Sequence, residues 1–465
     1  MRYVSTRGQA PAVDFRAALL GGLAPDGGLY LPAAWPVFSR QELEALRGAP
    51  YARVAFEVIR RFAGDSIAAD TLREVLEQAY GDFGHPAVAP LVQTGPDRWI
   101  LELFHGPTLS FKDFAMQAIA PLMAHVLAEE GRAMTIVGAT SGDTGGAALQ
   151  AFRDLPGVRV VFLFPQGGVS PYQQDQMLGL CGDNTHVAAV DGNFDDCQRI
   201  VKALFADAAF RDAVSLSAVN SINWGRIVAQ VVYYVTTCLA LGLPERGVRF
   251  TVPTGNFGDI YAGHVARRMG LPVAGLTIAT NENDILARVH ATGQYRPEGL
   301  RRTVTPAMDI QVASNFERLL FDLLGEDAGQ LRQLMTALEQ TGGFVLPQSA
   351  LAALRQGFAA EAVDQPACLA QIAAFHARTG YVADPHTAVA LTAAARRGAE
   401  GGAEVTLATA HPVKFNETVT QVLGACPGPG GLPHRPSAPQ GAPVLVANSV
   451  DAVKSIVNRF RSSEK

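Results

Sequence analysis

His105-Gly-Pro-Thr-Leu-Ser110-Phe-Lys112-Asp113-Phe-Ala-Met-Gln117 is the stretch on which the fold of this chain turns. Ser110 can cap a helix, and Asp113, three residues on, can reach back to the cap N–H. Phe114, Ala115, Ala118, Ile119 and Leu122 then recur at helical spacing. That spacing puts Lys112 in the first helical turn, at the positive end of the dipole, where acids are favoured and bases are not. Sequences break a local rule in this way mainly at functional sites. An amine held there, among apolar and aromatic neighbours, has a lowered pKa and can act as a nucleophile for a Schiff base.

The ordinary fate of a lysine is a solvated surface charge. The sequence holds only five: Lys112, Lys202, Lys414, Lys454 and Lys465. Lys202 shares a helical pattern with Ile200, Val201 and Leu204 and reads as its wet face. Lys454 and Lys465 belong to a polar tail. Lys112 alone sits at an apolar helix start.

Outward from this stretch, the pattern alternates. A strand at 99–104 leads straight into it. From Met134, short apolar runs at 134–137, 158–164, 187–190, 248–252, 273–279 and 404–408 are separated by helical patterns, including 195–205, a long one from Ile222, and 260–269. Strands alternating with helices predict βαβ units and parallel sheets. Before them, residues 1–90 carry helical patterns at 15–20, 41–46 and 52–62 around a Pro/Gly-rich stretch, 25–36. Ser5, Thr6 and Arg7 fit a capped surface turn or a site role equally. After Cys426, a Pro/Gly linker at 427–433 precedes a short helix at 450–460. The expected division is an N-terminal helical domain at 1–92, a large domain at 93–130 and 230–430, a small domain at 131–229, and a C-terminal extension at 431–465.

At 465 residues the chain has ample material for two or three domains. Hydrophobic residues make up 48% and charged ones 17%, as in a globular protein. The net charge of −5 gives no electrostatic reason to expect nucleic acid or an anionic membrane. Five cysteines without C-x-x-C spacing argue against a disulfide framework or a zinc cluster, so no metal is expected, and they suit reduced thiols in the cytoplasm. No basic segment followed by an apolar run opens the chain. The most apolar stretch, 227–243, is interrupted by Gln230 and by threonine and tyrosine side chains, and reads as a buried helix instead of a membrane span.

Three glycine-bearing turns stand between a strand and a helix, where free N–H groups and the dipole can hold an anion. They are Thr140-Ser-Gly-Asp-Thr-Gly-Gly146, Gly192-Asn-Phe-Asp195 and Thr254-Gly-Asn-Phe-Gly-Asp259. Taken singly, each reads equally as a tight turn. The second lacks the further glycine of the third and reads as a structural turn before a helix. None fits G-x-x-x-x-G-K, which excludes the usual nucleoside-triphosphate cradle. Asn220-Ser-Ile-Asn-Trp-Gly-Arg226 offers amide and hydroxyl donors and an arginine fork, which suit a phosphate. On spacing alone it reads better as a helix cap, by Ser221 or Asn223, with a surface arginine.

Phe104 to Asp113, together with Met1-Arg-Tyr-Val-Ser-Thr-Arg-Gly8 and Leu23-Ala-Pro-Asp-Gly-Gly-Leu-Tyr-Leu-Pro32, resembles the threonine synthase family, to about residue 426. The resemblance implies an α/β fold of the fold-type II pyridoxal-phosphate enzymes, with parallel-sheet large and small domains and an additional N-terminal domain. It implies pyridoxal 5'-phosphate as cofactor and O-phospho-L-homoserine as small-molecule substrate, in a monomer or homodimer. Lys112 would be the Schiff-base lysine. Gly255, Asn256, Phe257, Gly258 and Asp259 would hold the cofactor phosphate, and Asp143 would lie near the ring hydroxyl. Thr409 would meet the ring nitrogen, leaving a weaker electron sink than a carboxylate gives. Thr140, Ser141 and Thr144 would line the substrate side, with Asn220, Ser221 and Arg226 on the substrate phosphate. His411 and Lys414 read as structural. The alternatives are a serine/threonine dehydratase of the same fold and a non-catalytic homologue, against which the intact Lys112 counts.

Overall fold

A computed structural model describes residues 1–242, 246–398, 401–428 and 441–462. Two sheets carry the molecule. The larger has six strands in the order Ala359–Ala362, Val273–Thr280, Val248–Pro253, Ala403–Ala408, Arg98–Glu102 and Leu91–Gly95. The first five run parallel, and only Leu91–Gly95 pairs antiparallel, at the edge. The smaller has five, in the order Val444–Val446, Thr185–Val190, Val158–Pro165, Met134–Ala139 and Leu216–Ser217, all parallel. Helices cover both, so the inner strands are near-continuous apolar runs and not alternating ones.

Parallel sheets put every strand's carboxyl end on one side, and ligands bind there. The lysine stretch leaves the end of Arg98–Glu102, and residue 409 leaves the end of the neighbouring strand Ala403–Ala408. Past the sheet the two exits stay zipped: Phe111 N donates to Thr409 O at 2.9 Å, and His411 N to Leu109 O at 3.0 Å. The lysine helix, Lys112–Glu129, begins at Lys112 as its spacing predicts. Its cap does not follow the prediction. Phe111 occupies the cap position and no side chain caps it. Ser110 Oγ is buried without a partner, while Asp113 accepts from Thr108 N at 2.8 Å and Thr108 Oγ1 at 2.6 Å. Asp113 therefore closes the preceding Gly-Pro-Thr turn, while also drawing on the Ser110 backbone N–H that the expected box assigned it.

The N-terminal segment pairs Tyr3–Ser5 with Tyr30–Pro32 and adds helices at Phe15–Gly21, Arg40–Ala45, Tyr51–Ala63 and Ala69–Gly81. Rings of Tyr3, Trp35 and Phe62 pack within about 6 Å of the fully buried Trp224. Ser5, Thr6 and Arg7 form a structural turn: Ser5 Oγ donates to Asp26, and Thr6 and Arg7 both bind Glu317. Next to Glu317, Arg318 is fully buried. It donates to Tyr30 O at 3.1 Å, to Ile222 O at 2.7 Å and to Asn315 Oδ1.

The long apolar helix spans Trp224–Ala240, two residues later than Ile222, because Asn223 caps it by accepting from Gly225 N. Leu243, the expected end of that run, and most of the 427–433 linker lie outside the described residues. Within the expected extension at 431–465, the described residues 441–462 return to the small sheet. Val444–Val446 pairs with Thr185–Val190, and Val453, Ile456 and Val457 pack against Cys197, Ile200 and Leu204. A three-residue strand inside a polar tail leaves too little periodicity to be seen. Ile456→Ala should therefore cost about 2 kcal/mol, the lower end for truncating a buried aliphatic residue. It should appear as a lower urea midpoint, whereas a detached extension would leave the midpoint where it was.

Candidate active site

Between the carboxyl ends of the two sheets lies a cavity of about 830 Å³. Lys112 is on its wall, 8% exposed. Its Nζ lies 3.2 Å from Asp143 Oδ2 and 4.5 Å from the Phe111 ring. Burial pushes the Lys112 ammonium down, the charges of Lys414 and Arg226 push the same way, and Asp143 pulls it back. Burial alone would raise the Asp143 carboxyl. The Lys414 and Lys112 ammoniums outweigh it and hold Asp143 well below the usual carboxylate range.

Asp143 opens the helix Asp143–Phe152 after strand Met134–Ala139. The turn before it depends on Gly142, at φ +121°, where a Cβ would stand 2.4 Å from Gln173. Gln173 needs that space to donate to Asp143 Oδ1 at 2.8 Å. Thr140, Ser141 and Thr144 all line the cavity. The Thr140 hydroxyl, however, accepts from Gly142 N and Gly145 N, so it braces its own loop. The N–H groups of Ser141, Asp143 and Thr144 have no acceptor among the described residues. This loop thus offers backbone donors to the cavity beside the Ser141 and Thr144 side chains.

The turn after strand Val248–Pro253 is the second donor set. Gly255, Asn256, Phe257, Gly258 and Asp259 line the cavity. The N–H groups of residues 255 to 258 find no acceptor in the described chain, at the start of helix Gly258–Arg268. Free N–H groups at the positive end of a helix suit a phosphate. Phe257 takes φ +67° and packs its ring on Phe316 and Phe358, so only its backbone serves the site. A Cβ at Gly258 would meet Asn315 at 3.3 Å and Ile227 at 3.5 Å. The space at Gly258 is therefore limited on the protein side as well. Asp259 also turns inward: its carboxylate accepts from Tyr233 at 2.6 Å and Tyr234 at 2.9 Å, and burial pushes it up to about 6.

Asn220, Ser221 and Arg226 form a third wall. Arg226 is not the surface arginine that spacing suggested. It is 3% exposed and makes no ion pair among the described residues. One Nη donates to Val219 O at 3.1 Å, and Nε has no partner. Burial pushes the guanidinium down to about 10. An uncompensated buried charge is costly, so this wall is built for an anion. Asn315 joins it to the second turn by donating to Ser221 O at 3.0 Å and Asn256 O at 3.1 Å.

The turn at 192–195 does not join the donor sets. Asn193 accepts from Asp196 N, and Asp196 from Asn193 N, a reciprocal cap that uses the turn's polarity locally. Thr409 lines the cavity, and so does His386, which sequence reasoning missed. His386 Nδ1 meets Asp384 at 2.9 Å, and its buried Nε2 has no partner. His411 lies off the cavity. It accepts from Val413 N, and burial pushes it down to about 4. Lys414, read from the sequence as structural, is also off the cavity wall but stands beside the site. Its Nζ is 3.0 Å from Asp143 Oδ1. Its signal was present in the sequence, since few lysines exist and this one stands between Val413 and Phe415.

The donor set fits pyridoxal phosphate: an amine with a lowered pKa, a cradle of free N–H groups for a phosphate, and a threonine at the end of the strand between them. Purified protein should be yellow, and borohydride should fix the cofactor to the peptide carrying Lys112. Recovery on the Lys414 peptide would reverse the roles of the two buried amines.

A family model described as a pyridoxal-phosphate dependent enzyme matches residues 89–411. Models for the threonine synthase N terminus and C-terminal regions match residues 2–80 and 387–457. A threonine synthase of Pseudomonas aeruginosa is 48% identical over 429 residues, 92% of each chain. The crystal structure of pyridoxal-phosphate-bound threonine synthase from Brucella melitensis is 49% identical, with a TM-score of 0.94 over 100% of both chains. The yeast enzyme superposes with a TM-score of 0.91 at 34% identity, over 99% of both chains. With family models matching from residue 2 to residue 457 and relatives near half identical over almost the whole chain, the chain belongs to the threonine synthase family of pyridoxal-phosphate enzymes.

Proposed function

We propose that this chain converts O-phospho-L-homoserine and water to L-threonine and phosphate, as a carbon–oxygen lyase in threonine biosynthesis. The observation that carries the reading is two separate sets of unpaired donors in one cavity. The free N–H groups at 255–258 form one, and the unpaired Arg226 beside Asn220 and Ser221 forms the other. A cofactor phosphate fills the first. The second then requires a phosphorylated substrate, which a serine/threonine dehydratase would not have.

When bound, pyridoxal phosphate supplies an electron sink for negative charge developing beside the amino acid's nitrogen-bearing carbon. Lys112 would hold the cofactor, and its amine would move protons at Cα, Cβ and Cγ of the substrate. Burial pushes that amine's pKa down from the usual lysine value. The 255–258 turn would hold the cofactor phosphate, and Thr409 and Asp143 would be the groups that meet its ring. Backbone N–H groups of Ser141 and Thr144 bind the substrate's carboxylate. Arg226, with the Asn220 and Ser221 side chains, grips the phosphate that leaves Cγ, and water then adds at Cβ.

Among the described residues no helix is long and apolar enough to cross a membrane. All five cysteines are free, which supports a reducing compartment, the cytoplasm.

Hydrogen bonds to a charged group contribute roughly 1.5–3 kcal/mol. Arg226→Ala should therefore lower kcat/KM for phosphohomoserine by about one to two orders of magnitude, with cofactor absorbance as in the parent. A side reaction with serine, which has no phosphate, should barely change. Equal losses on both substrates would make Arg226 a structural residue and remove the phosphate site.

A further inference from the structure

Two buried lysines share one buried carboxylate, and they are held very differently. Lys414 is fully buried. Its ammonium has three donors, and each has an acceptor: Thr108 O at 2.7 Å, Gln176 Oε1 at 3.1 Å and Asp143 Oδ1 at 3.0 Å. Lys112 has one, Asp143 Oδ2, at 3.2 Å. Lys414 thus holds a saturated set of bonds in a dry interior, whereas Lys112 has a single long one.

We propose that Lys414 is the standing counter-ion of Asp143, and that its charge is what frees the Lys112 amine to lose its proton. Asp143 needs one cation to be tolerated in the interior. If Lys112 were that cation it would stay an ammonium and could not attack a carbonyl carbon. With Lys414 fixed on the other oxygen, the carboxylate remains compensated when Lys112 is neutral, and the two like charges repel when it is not. Lys414 is thus a positioning residue acting through Asp143.

The other charges around the pair do not replace it. Arg226, on the helix Trp224–Ala240, opposes a charge on Lys112 and Asp259 favours one. Asp259 is already engaged by two tyrosines. Asp113 faces Lys414, but Thr108 occupies both its oxygens. His411 lies near Lys414, pushed well down and so neutral around pH 7.

The inference rests on Lys112 as the cofactor-binding amine. Its test reads that amine directly, whether or not phosphohomoserine is turned over. In the full-length protein stripped of cofactor, Lys112 is trapped with pyridoxal phosphate and cyanoborohydride across a pH series and quantified by peptide mass. Lys414→Gln, which keeps an amide donor but no charge, should move the midpoint of trapping to higher pH by about one unit or more, a shift of the size adjacent charges produce. Lys414→Arg should leave it near the parent's. The pair Asp143→Asn and Asp143→Asn with Lys414→Met isolates the repulsion and avoids a lone buried carboxylate, should Lys414→Gln fail to fold. The double variant should titrate about one unit above the single one. An unchanged or lower midpoint in Lys414→Gln, or coincident midpoints in the second pair, would overturn the proposal and leave Lys414 a structural residue.

Discussion

The Asp143 carboxylate, buried with a lysine on each oxygen, is the constraint from which the site is built. It sits on the small-sheet side of the cavity. Lys112 and Lys414 reach it from segments leaving two adjacent strands of the large sheet, and Gln173 completes its shell. A charge this deep is tolerated only when paired and hydrogen-bonded. The pairing joins the two sheets at the point where chemistry is expected, and the positive φ of Gly142 keeps the space that Gln173 needs.

Around that centre the backbone does much of the binding. The free N–H groups at 255–258 and at Ser141, Asp143 and Thr144 come from two helix starts aimed into one cavity. Backbone donors keep a fixed geometry and carry no net charge, so they suit an anion without demanding a counter-ion when empty. Arg226 is the exception, a full charge with no partner among the described residues. It is held by Val219 O and sits in a loop that Asn315 braces.

Much of this was legible in the sequence. The alternation of apolar runs and helical patterns gave the parallel sheets, because a doubly covered strand leaves an uninterrupted apolar signature. The Lys112 conflict with its helix dipole pointed at the site, and the residues expected to bind cofactor or substrate all line one cavity. What stayed hidden was where side chains turn. Ser110 and Asp113 have the spacing of a capping box, yet Thr108 offers Asp113 two donors and wins. Asp259 belongs to a phosphate-loop pattern, but its carboxylate goes to two tyrosines on another helix. Arg226 read on spacing as a surface cation because burial is set by partners far along the chain. Short elements such as Val444–Val446 form only because a sheet edge is waiting.

Arg318 has a consequence for the order of events during synthesis. Its guanidinium joins Tyr30 O, Ile222 O and Asn315, and the bond to Tyr30 spans 288 positions. At ribosomal rates of roughly 5–20 residues per second, about 15–60 s separate the emergence of its two ends. The N-terminal hairpin is made first but latched late, after the small-sheet segments up to Ser217 have emerged. For the greater part of that interval the apolar faces of Tyr3 and Phe62 wait for a tryptophan, residue 224, that has not yet been translated. The nascent chain is therefore most exposed to misassociation well before its midpoint, and a chaperone would find its longest-lived target in the first eighty residues.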